Sequence, residues 1–77
     1  MNIKLNKKAF KRRLKMARAE YGLSQKKLSE YVDIHQKVIS NYETGHSMPT
    51  LETLFKIAKI LRKDIGWFFK NIEEYEE

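Results

Sequence analysis

The sequence predicts an all-α domain of five short helices. Two observations carry that prediction: apolar residues recur at helical spacing in successive segments, and residues that start or stop helices separate those segments. The first helix is expected from near Lys7 to Tyr21, with Phe10, Leu14, Ala17 and Tyr21 as its apolar stripe and Gly22 as its end. Ser24 starts the second, because its hydroxyl can accept from an early backbone N–H, and Gln25, Lys26 and Lys27 tolerate a helix. Leu28, Tyr31 and Val32 form the expected buried side of this second helix.

Asp33 stands at the corner between helices two and three, where the chain needs a left-handed residue. Asp takes that conformation more easily than most residues other than Gly and Asn. In the third helix, a wheel of about 100° per residue gathers Val38, Ile39 and Tyr42 on one side and Gln36, Lys37, Ser40 and Asn41 nearly opposite. Gly45 closes that helix as the glycine just beyond its end. A loop through His46 and Pro49 leads to a fourth helix capped by Thr50. Leu51, Leu54, Phe55, Ala58 and Leu61 are expected to face inward there, and Glu52, Lys56, Lys59 and Lys63 outward. Asp64 can cap a fifth helix containing Trp67, Phe68 and Phe69, although Gly66 in its first turn costs roughly 0.5 to 1 kcal/mol relative to Ala. Three consecutive aromatics cannot all face one core, so at least one is expected near the surface, where a partner would cover it.

Seventy-seven residues make one domain, read here as residues 1–77 with a core over about 7–70, a basic N-terminal arm 1–6 and an acidic C-terminal tail 71–77. No Cys is present, so neither disulfides nor thiolate metal sites supplement helix packing. The two histidines, His35 and His46, lack the close spacing of metal ligands, and no Cys nucleophile or paired-carboxylate arrangement points to catalysis. No enzyme, cofactor, metal or small-molecule substrate is therefore expected. The N-terminus has no apolar run of the signal-peptide kind, and no stretch approaches the about 20 apolar residues that span a bilayer, so a cytoplasmic protein without membrane association is expected.

The net charge of +6 is unevenly distributed. Lys4, Lys7, Lys8, Lys11, Arg12, Arg13, Lys15 and Arg18 all precede the first acidic residue, Glu20, while Glu73, Glu74, Glu76 and Glu77 end the chain. Such a basic half suits a phosphate backbone, where neutralised phosphates release condensed counterions. Basic amphipathic helices also meet acidic membranes or partner proteins, so the run alone does not choose. The polar face of helix three is more specific. A Gln can pair bidentately with adenine, a Lys can donate to guanine O6 and N7, and Ser and Asn are short enough for bases or phosphates.

The ordered set Leu14, Arg18, Gly22-Leu23-Ser24-Gln25, Leu28-Ser29, Ile34, Ile39-Ser40, Tyr42-Glu43, Gly45, Pro49-Thr50-Leu51, Leu54, Ile57-Ala58, Leu61 and Trp67-Phe68 resembles the Cro/repressor-type helix-turn-helix family, also called the xenobiotic-response-element family. The resemblance runs from about Phe10 to Phe69. Its departures are Asp33, where the family usually has the turn Gly, and His35, where it often has Ser or Thr. It implies a five-helix, lambda-repressor-like domain with the helix-turn-helix in helices two and three, acting on double-stranded DNA as a homodimer.

The implied roles follow. Gln36 and Lys37 are the leading base readers, completed by Ser40 and Asn41, because residues near the start of a recognition helix reach deepest into the groove. His35 lies within reach of either a base edge or a phosphate, or it caps the helix. Gln25, at a helix N-terminus, is assigned to phosphate together with Lys26, Lys8 and His46. Arg18 and Glu43 match residues that family members join in a partly buried ion pair, and Trp67, Phe68 and Phe69 lie in the C-terminal region through which such regulators dimerise. The expected activity is sequence-specific binding of an inverted-repeat operator, most simply as a repressor. The alternative is an antitoxin or protein-binding module of a toxin-antitoxin or restriction-modification control system, with a toxin or protein antagonist as partner. RNA is disfavoured because the deep, narrow major groove of A-form RNA excludes a reading helix.

Overall fold

The computed structural model describes residues 6–69. Apart from Asn6, the expected basic arm lies outside the described residues, as does the acidic tail. Among the described residues there are four α-helices, α1 (Lys7–Tyr21), α2 (Gln25–Val32), α3 (Gln36–Thr44) and α4 (Leu51–Leu61), followed by a short 3-10 helix (Ile65–Phe69). No strand occurs among them, and no helix there is long and apolar enough to cross a membrane.

The expected fifth α-helix is thus a 3-10 turn. Trp67 N donates to Asp64 O at 3.0 Å, an i to i+3 bond that tightens the segment. Three residues per turn put half-buried Ile65 and buried Phe68 on one side, so both reach the core without a longer helix.

Each α-helix is bounded by its own sequence. Asn6, Ser24 and Thr50 accept side-chain hydrogen bonds from the backbone N–H of Ala9, Lys27 and Thr53, respectively. All four helices end on a left-handed residue with paired backbone bonds of the Schellman kind, the second running five residues back, as from Ile34 N to Ser29 O at 3.0 Å. Gly22 and Gly45 supply two of these ends, but Asp33 (φ 66°) and Arg62 (φ 60°) hold the same conformation with a side chain attached. The corner at Asp33 is therefore left-handed, as its residue type suggested.

The core centres on Phe10, whose ring lies 5.9 Å from Phe68, 5.6 Å from Phe69 and 6.5 Å from Tyr42 between centroids. Leu14, Ala17, Leu28, Val32, Ile39, Leu54, Ile57, Ala58 and Leu61 complete it. Burial pushes the Tyr42 phenol pKa up. α1 packs on α3 and the 3-10 helix, and α2 packs on α3 and α4.

Four residues expected inside lie outside. Tyr31 is 60% exposed, and the buried side of α2 turns instead toward Ser29, a small residue whose hydroxyl donates to Lys26 O at 2.7 Å. Leu51 and Phe55 are 65% and 57% exposed, because α4 buries Leu54, Ile57, Ala58 and Leu61, a face rotated toward Ile57. Tyr21, at the last turn of α1, lies at the surface with the Arg62 guanidinium 5.9 Å from its ring.

Candidate nucleic-acid interface

The two helices of the turn are fixed at their ends by one carboxylate. Glu43, on the last turn of α3, accepts from Arg18 Nε at 2.6 Å and Arg18 Nη2 at 3.1 Å, a bidentate pair. Arg18 Nη1 also donates to Leu23 O at 2.7 Å, tying α1 to the loop before α2. The side chains of Arg18 and Glu43 retain only 14% and 3% exposure, so the pair is largely withdrawn from water. Gln25 Nε2 donates to Glu43 Oε1 at 3.0 Å. Sequence reading placed Gln25 with the phosphate contacts and missed this third member; no spacing rule links the start of α2 to the end of α3.

On α3, Ile39 and Tyr42 are buried and Val38 is half-buried, while Gln36 and Lys37 are exposed and Ser40 and Asn41 are half-buried. The four polar residues share one face, anchored from behind by the apolar ones. His35 holds the N-cap position in extended conformation (φ −71°, ψ 144°), yet its side chain makes no capping hydrogen bond. It is exposed at the start of the same helix. His35 thus stands at the cap position by its backbone alone, and its side chain is not used as a cap.

At the N-terminus of α2, Ser24 Oγ accepts from Lys27 N and Ser24 O from Leu28 N, both at 3.0 Å. The backbone N–H groups of Gln25 and Lys26, in the first turn, have no carbonyl within the helix to bond to, which is the usual arrangement for an anion at a helix start. Lys26 is exposed beside them, and Lys8 is exposed on the first turn of α1. Beyond the far end of α3, exposed His46 pairs through Nδ1 with Thr44 Oγ1 at 2.8 Å, in a direction set by the imidazole tautomer.

The C-terminal aromatics divide. Phe68 is fully buried among core residues, so it presents no surface to a partner. Trp67 is half-buried, with the Arg13 guanidinium 4.7 Å and the Lys63 ammonium 4.4 Å from its ring centroid, and its carbonyl accepts from Arg13 Nη1 at 3.1 Å. Phe69 is half-buried and stacks on Phe10. A shallow depression of about 470 Å³ lies elsewhere, lined by residues of α4 and the following turn including Phe55, Lys56, Lys59 and Lys63. Among the described residues no group of three or more His, Asp or Glu is placed to hold a metal ion.

A helix-turn-helix family model matches residues 14–68. The SPβ prophage-derived uncharacterized HTH-type transcriptional regulator YonR of Bacillus subtilis (strain 168) is 36% identical over 62 residues, covering 80% of this chain and 57% of that protein. The uncharacterized HTH-type transcriptional regulator YgzD of the same organism is 33% identical over 61 residues, covering 75% of this chain and 92% of that protein. The chain spans about half the length of several of the curated relatives it matches. Among solved structures, hydroxypropylphosphonic acid epoxidase from S. wedmorenis superposes with a TM-score of 0.78 at 23% identity, over 88% of this chain and 36% of that one. At that identity the likeness concerns the fold and not the epoxidase chemistry. With most of the chain matched by the family model, with relatives of the same type, and with the two-helix turn in place, the chain belongs to the Cro/C1-type helix-turn-helix family.

Proposed function

We propose that this chain is a sequence-specific regulator that binds double-stranded DNA, with α3 in the major groove. The observation that carries the reading is the polar face of α3: Gln36 and Lys37 project from its first turn, flanked by Ser40 and Asn41, while Ile39 and Tyr42 hold the helix from behind. These side chains match base-edge chemistry, and exposed His35 extends the same surface. Gln25, Lys26, Lys8 and His46 serve the phosphates. Gln25 keeps a second amide hydrogen for that role while the first is held by Glu43. The relatives named as transcriptional regulators support a regulatory outcome. Repression follows where the bound site overlaps a promoter, and no catalytic step is part of the activity.

The regulator acts as a homodimer on an inverted repeat, with the two α3 helices in successive major grooves about one DNA turn apart. The C-terminal aromatics contribute less to the dimer than their sequence suggests, since Phe68 is inside and Trp67 and Phe69 are engaged by Arg13, Lys63 and Phe10. Leu51 and Phe55 sit one turn apart on the exposed side of α4, just past the loop that leaves α3. This exposed apolar pair is the surface we assign to a second copy of the chain.

Selection from random duplex DNA at several salt concentrations tests the reading. It predicts a palindromic motif and a steep salt slope. Sequence-blind binding would reduce the protein to a general DNA coat, and no binding at all would favour the protein-binding module.

A further inference from the structure

We infer that Lys11 is a phosphate-positioning residue, clamping the DNA backbone beside the C-terminal end of α3; the inference rests on the DNA-binding reading above. Two contacts define which side of α1 faces α3. Arg18 reaches Glu43 on the last turn of α3. Lys11, seven residues earlier and therefore about two turns away on the same side, lies against Gly45, the residue that ends α3. A methyl group built on Gly45 would come within 3.3 Å of Lys11 Cδ and 3.9 Å of Lys11 Nζ. The aliphatic stem is thus laid across the glycine, and the ammonium sits next to the loop that carries exposed His46.

No carboxylate among the described residues pairs with Lys11, whereas Lys27 pairs with Glu30 and Lys63 with Glu20. Lys11 is half-buried, while Lys7, Lys8 and Lys15 on the same helix are exposed. An ammonium held in place by packing, with no counter-charge among the described residues, is arranged for an anion supplied from outside. On DNA that anion is a backbone phosphate. Gln25 at the start of α2 is bonded to Glu43 on the last turn of α3, so with α3 in the groove the start of α2 and Lys11 with His46 meet the backbone beside the same, C-terminal end of the reading helix.

The test is the salt dependence of binding, measured by fluorescence anisotropy on a selected duplex and on an unrelated one, for wild type, Lys11→Met and Lys11→Arg. Met retains an unbranched stem over Gly45 and removes only the charge. Losing one phosphate contact lowers the steepness of log K against log salt by about 0.9. Raising salt from about 50 to about 200 mM then weakens wild type about threefold more than Lys11→Met. Both duplexes are affected by the same factor, and Lys11→Arg restores the slope. A steep wild-type slope left unchanged by Lys11→Met, or a reduced slope that Lys11→Arg fails to restore, overturns the assignment of Lys11 alone. Wild-type protein that binds neither duplex overturns the DNA-binding reading, and this inference with it.

Discussion

The side-chain amide of Gln25 donates to Glu43 Oε1 at 3.0 Å, joining the first residue of α2 to the last turn of α3. The same carboxylate takes the bidentate guanidinium of Arg18, so a single buried group sets the relation of three helices and the loop at Leu23. The network is structural: it fixes the Gln25 side chain at the start of α2 against the last turn of α3. Arg18→Met should cost about 3 to 5 kcal/mol of stability in chemical denaturation, since Glu43 would stay buried with only Gln25 to compensate its charge. A loss below about 1 kcal/mol would show that the pair behaves as an exposed one.

Gln25 itself should act on affinity without acting on specificity. Gln25→Ala is expected to weaken a selected site and an unrelated duplex by the same factor, because phosphate contacts carry no sequence information directly. Competition binding with the two duplexes checks this, and a change in their affinity ratio would assign Gln25 to base reading.

The aromatic end of the chain gives a test of packing. Phe68 is fully buried against Phe10, so Phe68→Ala should cost about 3 to 5 kcal/mol. Phe55 is mostly exposed, and Phe55→Ala should stay within about 0.5 kcal/mol at concentrations too low for association. The same Phe55→Ala change should raise the concentration at which dimers form in sedimentation. Equal destabilisation by the two substitutions would contradict the core described for this domain.

Asp33 closes α2 at φ 66°, a conformation that costs an L-residue roughly 1 to 2 kcal/mol and costs Gly little. Asp33→Gly is therefore expected to stabilise the domain by about 1 kcal/mol, measured by thermal or urea unfolding, with DNA affinity unchanged. A destabilised variant would mean that the Asp side chain contributes something at this corner beyond tolerating it.

Much of this was legible in the sequence because its signals are local. Ser24, Asp33, Gly45 and Thr50 mark helix ends by their own chemistry, and the ends fall where those residues stand. The polar and apolar sides of α3 also separate by period alone. What misled was the assumption that buried means apolar. Ser29 is buried with its hydroxyl satisfied by Lys26 O, so the inward face of α2 lies away from Tyr31. On α4 there are more apolar residues than the core can take, and the neighbours choose Ile57 over Leu51 and Phe55. Arg62 gave no sign of its left-handed turn, which is imposed by the step from α4 into the 3-10 helix. The contacts of Gln25 with Glu43 and of Lys11 with Gly45 arise only when α1, α2 and α3 come together, and no period in the chain encodes them.

On the proposed function, the exposed face of α3 meets base edges, with Gln36 at its leading edge. That role is tested most directly by selecting binding sites from random duplex DNA with wild type and Gln36→Ala in parallel. An inverted repeat is expected for wild type and, for the variant, lost discrimination at one or two base pairs of each half-site, worth about 1 to 3 kcal/mol. Recovery of the same motif, with the same preference at every position, by both proteins would contradict it.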